Sequence, residues 1–257
     1  MTAQALAEAR GPRTRAAIAI DQFGCPARMR AIASALPDLP LIADAACSLG
    51  SHDGARACGS SGVIACLSFH PRKVVTTGEG GMCLTDDPDL AARLRELRNH
   101  GQSAPGTFQR ASGNHRLTEV AAAIGIVQLG RLDAMLSERR ALAERYTRAL
   151  SAYTPQRIPD GARCNHQTYG VVLPAHARRD AVIAALRERG IESGRLSYAL
   201  HTLPQFAAAA ASARAAERSF PVSSMLAERG LALPLWPGLS DSDQVKVIEG
   251  LDSVLGP

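Results

Sequence analysis

Ser68-Phe69-His70-Pro71-Arg72-Lys73 is the stretch on which the reading of this chain turns. The apolar run from Val63 to Phe69 predicts a strand, so Ser68 and the loop carrying Lys73 emerge at that strand's C-terminal end. Lys73 stands out chemically. The chain has 29 basic side chains, and all except Lys73 and Lys246 are arginines. Arginine stays protonated at any working pH, whereas a lysine amine can lose its proton and attack a carbonyl. A solvated surface lysine is the plain reading; a Schiff-base lysine is the chemical one.

Upstream, Arg15 to Asp21 reads as a buried strand, Pro26 to Leu36 has helical spacing at Met29, Ile32, Ala33 and Leu36, and Pro40 to Ala43 is a second apolar strand ending at Asp44. Strand, helix, strand at this spacing predicts a parallel crossover. Asp44 then lies at the C-terminal edge of a parallel sheet, where ligands collect in open α/β folds. Ala3 to Arg10 is helix-prone and is broken by Gly11-Pro12.

Downstream, Thr76-Thr77-Gly78-Glu79-Gly80-Gly81 predicts a tight turn into a short strand, Met82 to Thr85. An amphipathic helix over Pro88 to Asn99 precedes a polar, irregular segment, Gly101 to Gly113, expected as a mobile loop. Leu117 to Leu150 is helical in pattern, as one helix or two in sequence. The texture changes after Pro155. A strand at Thr168 to Leu173, a helix at Arg178 to Arg189, an extended piece after Gly190-Ile191, a helix at Val222 to Arg229, a strand at Leu231 to Leu233 and a closing helix capped by Ser240 follow. These divide the chain into residues 1–150, part of a large α/β domain ending in a long helix, and residues 151–257, a smaller α/β domain.

Bulk properties exclude several classes. At 257 residues, 46% hydrophobic and 21% charged, the composition is that of a globular chain with a sizeable core. No apolar run is long enough to cross a bilayer and Met1-Thr2-Ala3-Gln4 opens no signal-peptide pattern, which predicts a cytoplasmic protein with no membrane partner. Six cysteines (Cys25, Cys47, Cys58, Cys66, Cys83 and Cys164) have irregular spacing and no Cys-x-x-Cys, so neither a metal site nor a disulfide framework is expected; they read as reduced, mostly buried thiols. The net charge of +5 comes from scattered arginines, and aromatic content is 4%, which argues against nucleic acid. The arginines suit an anionic small substrate such as a phosphorylated or nucleotide-linked sugar.

A pyridoxal site needs an amine to anchor the cofactor, a carboxylate to keep the pyridine nitrogen protonated, and donors for the phosphate. Lys73, Asp44 and Ser68 supply these three types in that order. Each is weak alone, since a strand-end Asp is often an ion-pair partner and a Ser often a turn residue. Their joint placement carries the reading.

Asp44-Ala45-Ala46-Cys47, the lysine stretch and the Thr76–Gly81 turn together resemble the DegT/StrS family of pyridoxal-phosphate-dependent sugar aminotransferases. Gly113-Asn114-His115-Arg116-Leu117, Ala121 to Gly125, Gln128-Leu129, Tyr198-Ala199-Leu200-His201 and Leu233-Pro234-Leu235 continue the resemblance over nearly the whole chain. It implies an aspartate-aminotransferase-like large domain (fold type I) followed by a small C-terminal domain. It implies pyridoxal 5'-phosphate attached to Lys73, which also moves the proton between the donor's α-carbon and the cofactor. Asp44 would pair with the ring nitrogen, Ala46 would pack on the ring, and Ser68 would hold the phosphate. Asn114 would reach the cofactor phosphate of a second subunit, in a homodimer or a heterodimer with a full-length homologue, and His201 would line the substrate site. The reaction implied passes an amino group from an amino acid, glutamate by the family's habit, to a keto-sugar in amino-sugar biosynthesis. Relatives that remove a sugar hydroxyl carry His in place of this lysine, so Lys73 disfavours a dehydratase.

Two departures from the family pattern are visible. Cys47 stands where the family usually has Gln or His beside the ring, and a thiol is the poorer hydrogen-bond partner. Family members also carry a long stretch ahead of the segment around Thr14 to Asp21, with a Gly-Thr turn that cradles phosphate. Its absence predicts fewer phosphate donors and an apolar sheet edge needing cover. It also opens a second reading, a non-catalytic chain that acts as a structural or regulatory partner of a full-length subunit.

Overall fold

The structure, a computed structural model, describes residues 2–206, 208 and 220–256. In chain order the first elements are α1 (Ala3–Ala9), β1 (Ala17–Ile20), α2 (Met29–Ala35), β2 (Leu41–Asp44), β3 (His52–Asp53), β4 (Arg56–Ala57), β5 (Ile64–Ser68) and β6 (Gly81–Leu84). They are followed by α3 (Pro88–Arg98), β7 (Gln102–Ala104), β8 (Thr107–Phe108), α4 (Glu119–Leu129) and α5 (Leu132–Ala149). The remainder are β9 (Thr154–Pro155), β10 (Ala162–Arg163), β11 (Tyr169–Val172), α6 (Arg179–Glu188), β12 (Gly194–Arg195), α7 (Pro221–Arg229), β13 (Gly230–Leu233) and α8 (Asp241–Leu255). Packing separates two units, residues 1–140 with 158–167, and residues 141–157 with 168–257.

The first unit is built on a four-stranded sheet in the order β1-β2-β5-β6. β1, β2 and β5 run parallel, with Ile20 opposite Asp44 and Asp44 opposite Cys66, and β6 closes the sheet antiparallel to β5. The period of two along Ala-Ile-Ala-Ile decides the faces of β1: Ala17 and Ala19 are buried, while Ile18 and Ile20 remain 55% and 48% exposed. The buried alanines meet Met29, Ile32 and Leu36 of the α2 region and Leu41, Ala43 and Ala65 of the neighbouring strands. Small residues on the strands let the helix approach closely. β1 is an edge strand of this sheet, with apolar side chains exposed on one face.

Two expectations are corrected here, the mobile loop and the mostly buried thiols, and one left open is decided. The segment expected as a mobile loop contains the β7–β8 hairpin, turned at Gly106. The helical span from Leu117 resolves into two helices, α4 and α5, bent by 60° around Gly130. Of six free thiols only Cys164 is buried, and Cys83 is exposed. A three-stranded sheet, β10-β3-β4, was not anticipated, because two-residue strands carry no readable period. Among the described residues no single helix is long and apolar enough to cross a membrane.

The second unit carries an antiparallel sheet in the order β12-β13-β11-β9. Tyr146, Leu150, Val171, Leu173, Leu186, Leu231 and Leu251 form the centre of its core. Tyr146 stacks on Tyr169 at 5.1 Å and donates its hydroxyl to the Pro234 carbonyl, so the one polar atom of a fully buried ring is satisfied. Ser240 caps α8 by accepting from the Asp243 N–H at 3.1 Å.

Candidate active site

The C-terminal ends of β2 and β5 lie side by side, since Asp44 is in register with Cys66 and Ser68 follows two residues later on the same face. The chain after Asp44 turns at once. The Ala46 N–H donates to Asp44 Oδ1 at 3.2 Å, and among the described residues Oδ2 takes no hydrogen bond. The half-buried Lys73 reaches across from the β5–β6 connection, and its Nζ donates to Cys47 Sγ at 3.0 Å. The amine of Lys73 therefore reaches the short turn Asp44-Ala45-Ala46-Cys47, which begins at the carboxylate. Ser68 Oγ accepts from the His70 N–H at 3.4 Å, which leaves its hydroxyl proton for an external acceptor. His70 lies 3.8 Å from Glu79 and its Nδ1 accepts from the Arg72 N–H, so it braces the lysine loop.

Two expected residues lie outside this group. Asn114 is exposed, bridges to Asn99, and accepts at its Oδ1 from the Arg116 N–H at 3.1 Å. His201 belongs to the second unit, where it stacks on Phe220 at 4.9 Å and its Nε2 sits 3.1 Å from Ser224 Oγ.

The turn that presents Cys47 is held by residues that no local pattern announces. Fully buried Asn165 donates from Nδ2 to the Cys47 and Leu49 carbonyls, both at 2.9 Å, and its own N–H donates to Ser51 Oγ at 2.8 Å. Gly24 makes room for it. A Cβ there would lie 1.8 Å from Asn165 Oδ1, and the backbone at φ +92 is one that glycine alone adopts without strain. Beneath lies Arg139, 5% exposed, whose guanidinium donates to the carbonyls of Asn165, His166 and Gln167. Burial lowers its pKa to about 10. At the end of β1, buried Asp21 accepts from Ser48 Oγ at 2.6 Å and from the Ala27 N–H at 2.7 Å. Burial raises its carboxyl above the usual range, against those hydrogen bonds, which lower it.

His166 is held near φ +49, and burial, then the charges of Arg139 and Arg140, lowers its pKa to about 4. The unfolded imidazole titrates near the ordinary value of 6.5, so between pH 6.5 and about 4 the unfolded chain binds a proton that the folded chain refuses. Stability from this group is present above pH 6.5 and is lost as pH falls through that window. His166→Gln is expected to lose about 3 kcal/mol less than the parent between pH 7 and pH 4, read from urea midpoints at both values. Asp21, with its raised pKa, acts in the opposite sense in both proteins and cancels in the difference. Equal losses in the two proteins would contradict the assignment.

The donor set has the chemistry that pyridoxal phosphate requires: one amine, one carboxylate with an open oxygen, and one hydroxyl, at a shared strand-end edge. No group of three or more His, Cys, Asp or Glu among the described residues is placed to hold a metal.

Comparison with known proteins agrees. The chain is 33% identical over 258 residues to the dTDP-4-dehydro-2,3,6-trideoxy-D-glucose 4-aminotransferase of Saccharopolyspora spinosa, a match covering 93% of this chain. It spans 65% of that relative's length. The aminotransferase TlmJ from Streptoalloteichus hindustanus superposes with a TM-score of 0.88 at 35% identity, over 99% of this chain and 69% of TlmJ. DesV of S. venezuelae, solved in complex with a ketimine intermediate, gives 0.91 at 29% identity over 100% and 69%. The aminotransferases of this group depend on pyridoxal phosphate. The profile of the group matches residues 1–252, and the chain belongs to the DegT/DnrJ/EryC1/StrS aminotransferase family.

Proposed function

We propose that this chain is a pyridoxal-phosphate-dependent aminotransferase that moves an amino group from glutamate to a keto-sugar, one linked to a nucleotide. The observation that carries the reading is the approach of Lys73 Nζ to Cys47 at 3.0 Å, in the turn that begins at Asp44. The fold proposed is of the aspartate-aminotransferase type, with residues 1–150 in the cofactor-binding domain and residues 151–257 in the small domain.

When bound, the cofactor supplies an electron sink for charge developing at the donor's α-carbon. Asp44 Oδ2 holds the proton on the pyridine nitrogen, a role open to it because Oδ1 alone is engaged by the Ala46 N–H. Ser68 Oγ donates to the phosphate, and the side chain of Ala46 borders the ring. Lys73 Nζ would anchor the cofactor and would carry the proton away from the donor's α-carbon. Cys47 Sγ, 3.0 Å from that amine, would help to position it. Asn114, exposed in this chain, serves the phosphate of a second subunit's site, and His201 lines the sugar site. The exposed apolar residues Val120, Ile126 and Val127 of α4 support a dimer.

The test uses the purified chain with pyridoxal phosphate, borohydride reduction and peptide mapping, followed by single-turnover mixing with glutamate. The expected result is a label on Lys73 and conversion of the bound cofactor to its amine form. An unlabelled Lys73 would overturn the reading. A labelled Lys73 without reaction with glutamate would favour the non-catalytic partner.

A further inference from the structure

We propose that Cys66 and Cys83 form a redox-active dithiol, which a low-molecular-weight disulfide of the glutathione type converts into a cross-strand disulfide between β5 and β6. The argument rests on strand register and is independent of the cofactor. Cys66 lies directly opposite Cys83, so the two side chains project from the same face of the sheet. The type of pair follows from the ladder. Phe69 and Gly80 continue the same register, and the Phe69 N–H donates to the Gly80 carbonyl at 2.9 Å, which makes them a hydrogen-bonded pair. Alternation along an antiparallel ladder makes Ser68 and Gly81 a non-bonded pair, Leu67 and Met82 a bonded one, and Cys66 and Cys83 non-bonded. Non-bonded partners have Cα atoms about 4.5 Å apart and their side chains closest. Disulfides span about 4.4–6.8 Å between Cα atoms, so closure requires no movement of the strands.

Burial, and then the facing Cys83 thiol, raise the pKa of Cys66. Cys83 is exposed and Cys66 half-buried, which assigns the order of events. The Cys83 thiolate attacks one sulfur of the external disulfide, whose S–S bond breaks and releases one thiol. Cys66 gives its proton to solvent, and its sulfur attacks the Cys83 sulfur of the mixed disulfide, releasing the second thiol. Two electrons pass from the cysteine pair to the external disulfide, and two small thiols leave. The closed bond ties together the two ends of the segment that carries Ser68 and Lys73.

The experiment treats the full chain with limiting oxidised glutathione, alkylates the remaining thiols and maps tryptic peptides, with a urea-unfolded sample in parallel. Peptide 57–72 carries Cys58 as well as Cys66, so a Cys58→Ser variant fixes the assignment; peptide 74–93 carries Cys83. The expected product is a cross-link between the two peptides, two hydrogens lighter than their sum. It should exceed any other cysteine pairing by at least about tenfold in the folded chain and lose that excess in urea. Any of three results would overturn the proposal: both cysteines still open to alkylation after the other thiols have reacted, arrest at glutathione on Cys83, or no preference over the unfolded sample.

Discussion

Lys73→Arg is expected to abolish borohydride-dependent labelling by pyridoxal phosphate and to slow the half-reaction with glutamate by at least about 10²–10⁴-fold, the range for loss of a positioned proton carrier alone. The substitution separates charge from nucleophilicity. Arginine keeps the cation beside Cys47 and fills comparable volume, but its guanidinium stays protonated and cannot capture a carbonyl. A surface lysine replaced in this way would change nothing, which makes the variant decisive between the two readings of this residue. Cys47→Ala is the companion measurement. The thiol is a weak acceptor, so its loss should leave labelling at Lys73 intact while freeing the amine from its 3.0 Å contact. Labelling that persists in Lys73→Arg, at another amine, would remove Lys73 from the mechanism.

How far the sequence revealed this molecule depended on the range over which each signal acts. The shared edge of Asp44 and Ser68 was legible because each ends an apolar strand, and strand ends in a parallel sheet lie along one edge. Cys47 stands in the sequence only as a departure from the family pattern; no local signal brings its sulfur to the amine of Lys73. Asn165, Arg139 and Ser51 were not legible at all. Asn165 binds residues more than a hundred positions away, and a single polar residue in a loop carries no period, cap or turn signature. The β7–β8 hairpin escaped because its strands are short, polar and exposed, so their sequence reads as loop. The break between α4 and α5 was left open for a different reason. Gly130 permits an end to the helix without requiring one, and α4 is apolar on all sides, with no polar face to show where it turns.

The same long-range network sets the largest stability effect. Arg139→Ala should destabilise the chain by about 3–5 kcal/mol, a large share of the stability of an ordinary domain. The guanidinium is buried, and its donors serve three successive carbonyls, Asn165, His166 and Gln167. A buried acceptor that loses its donor costs about 1–3 kcal/mol, and alanine removes the donors without admitting enough water to replace them. Against this stands the relief of a buried cation, whose cost appears in the depression of its pKa to about 10. That relief is the smaller effect, since the charge lies among carbonyl dipoles that stabilise it. Arg139→Lys should recover part of the loss, because one ammonium cannot span three carbonyls. Urea unfolding with an unchanged m-value measures the difference. The consequence reaches the proposed site through Asn165, which holds the Cys47 and Leu49 carbonyls. Cys47 in Arg139→Ala should therefore be alkylated faster than in the parent at denaturant concentrations where both are folded. A stability within about 0.5 kcal/mol of the parent, with unchanged Cys47 reactivity, would show that the network carries neither the fold nor the turn after Asp44.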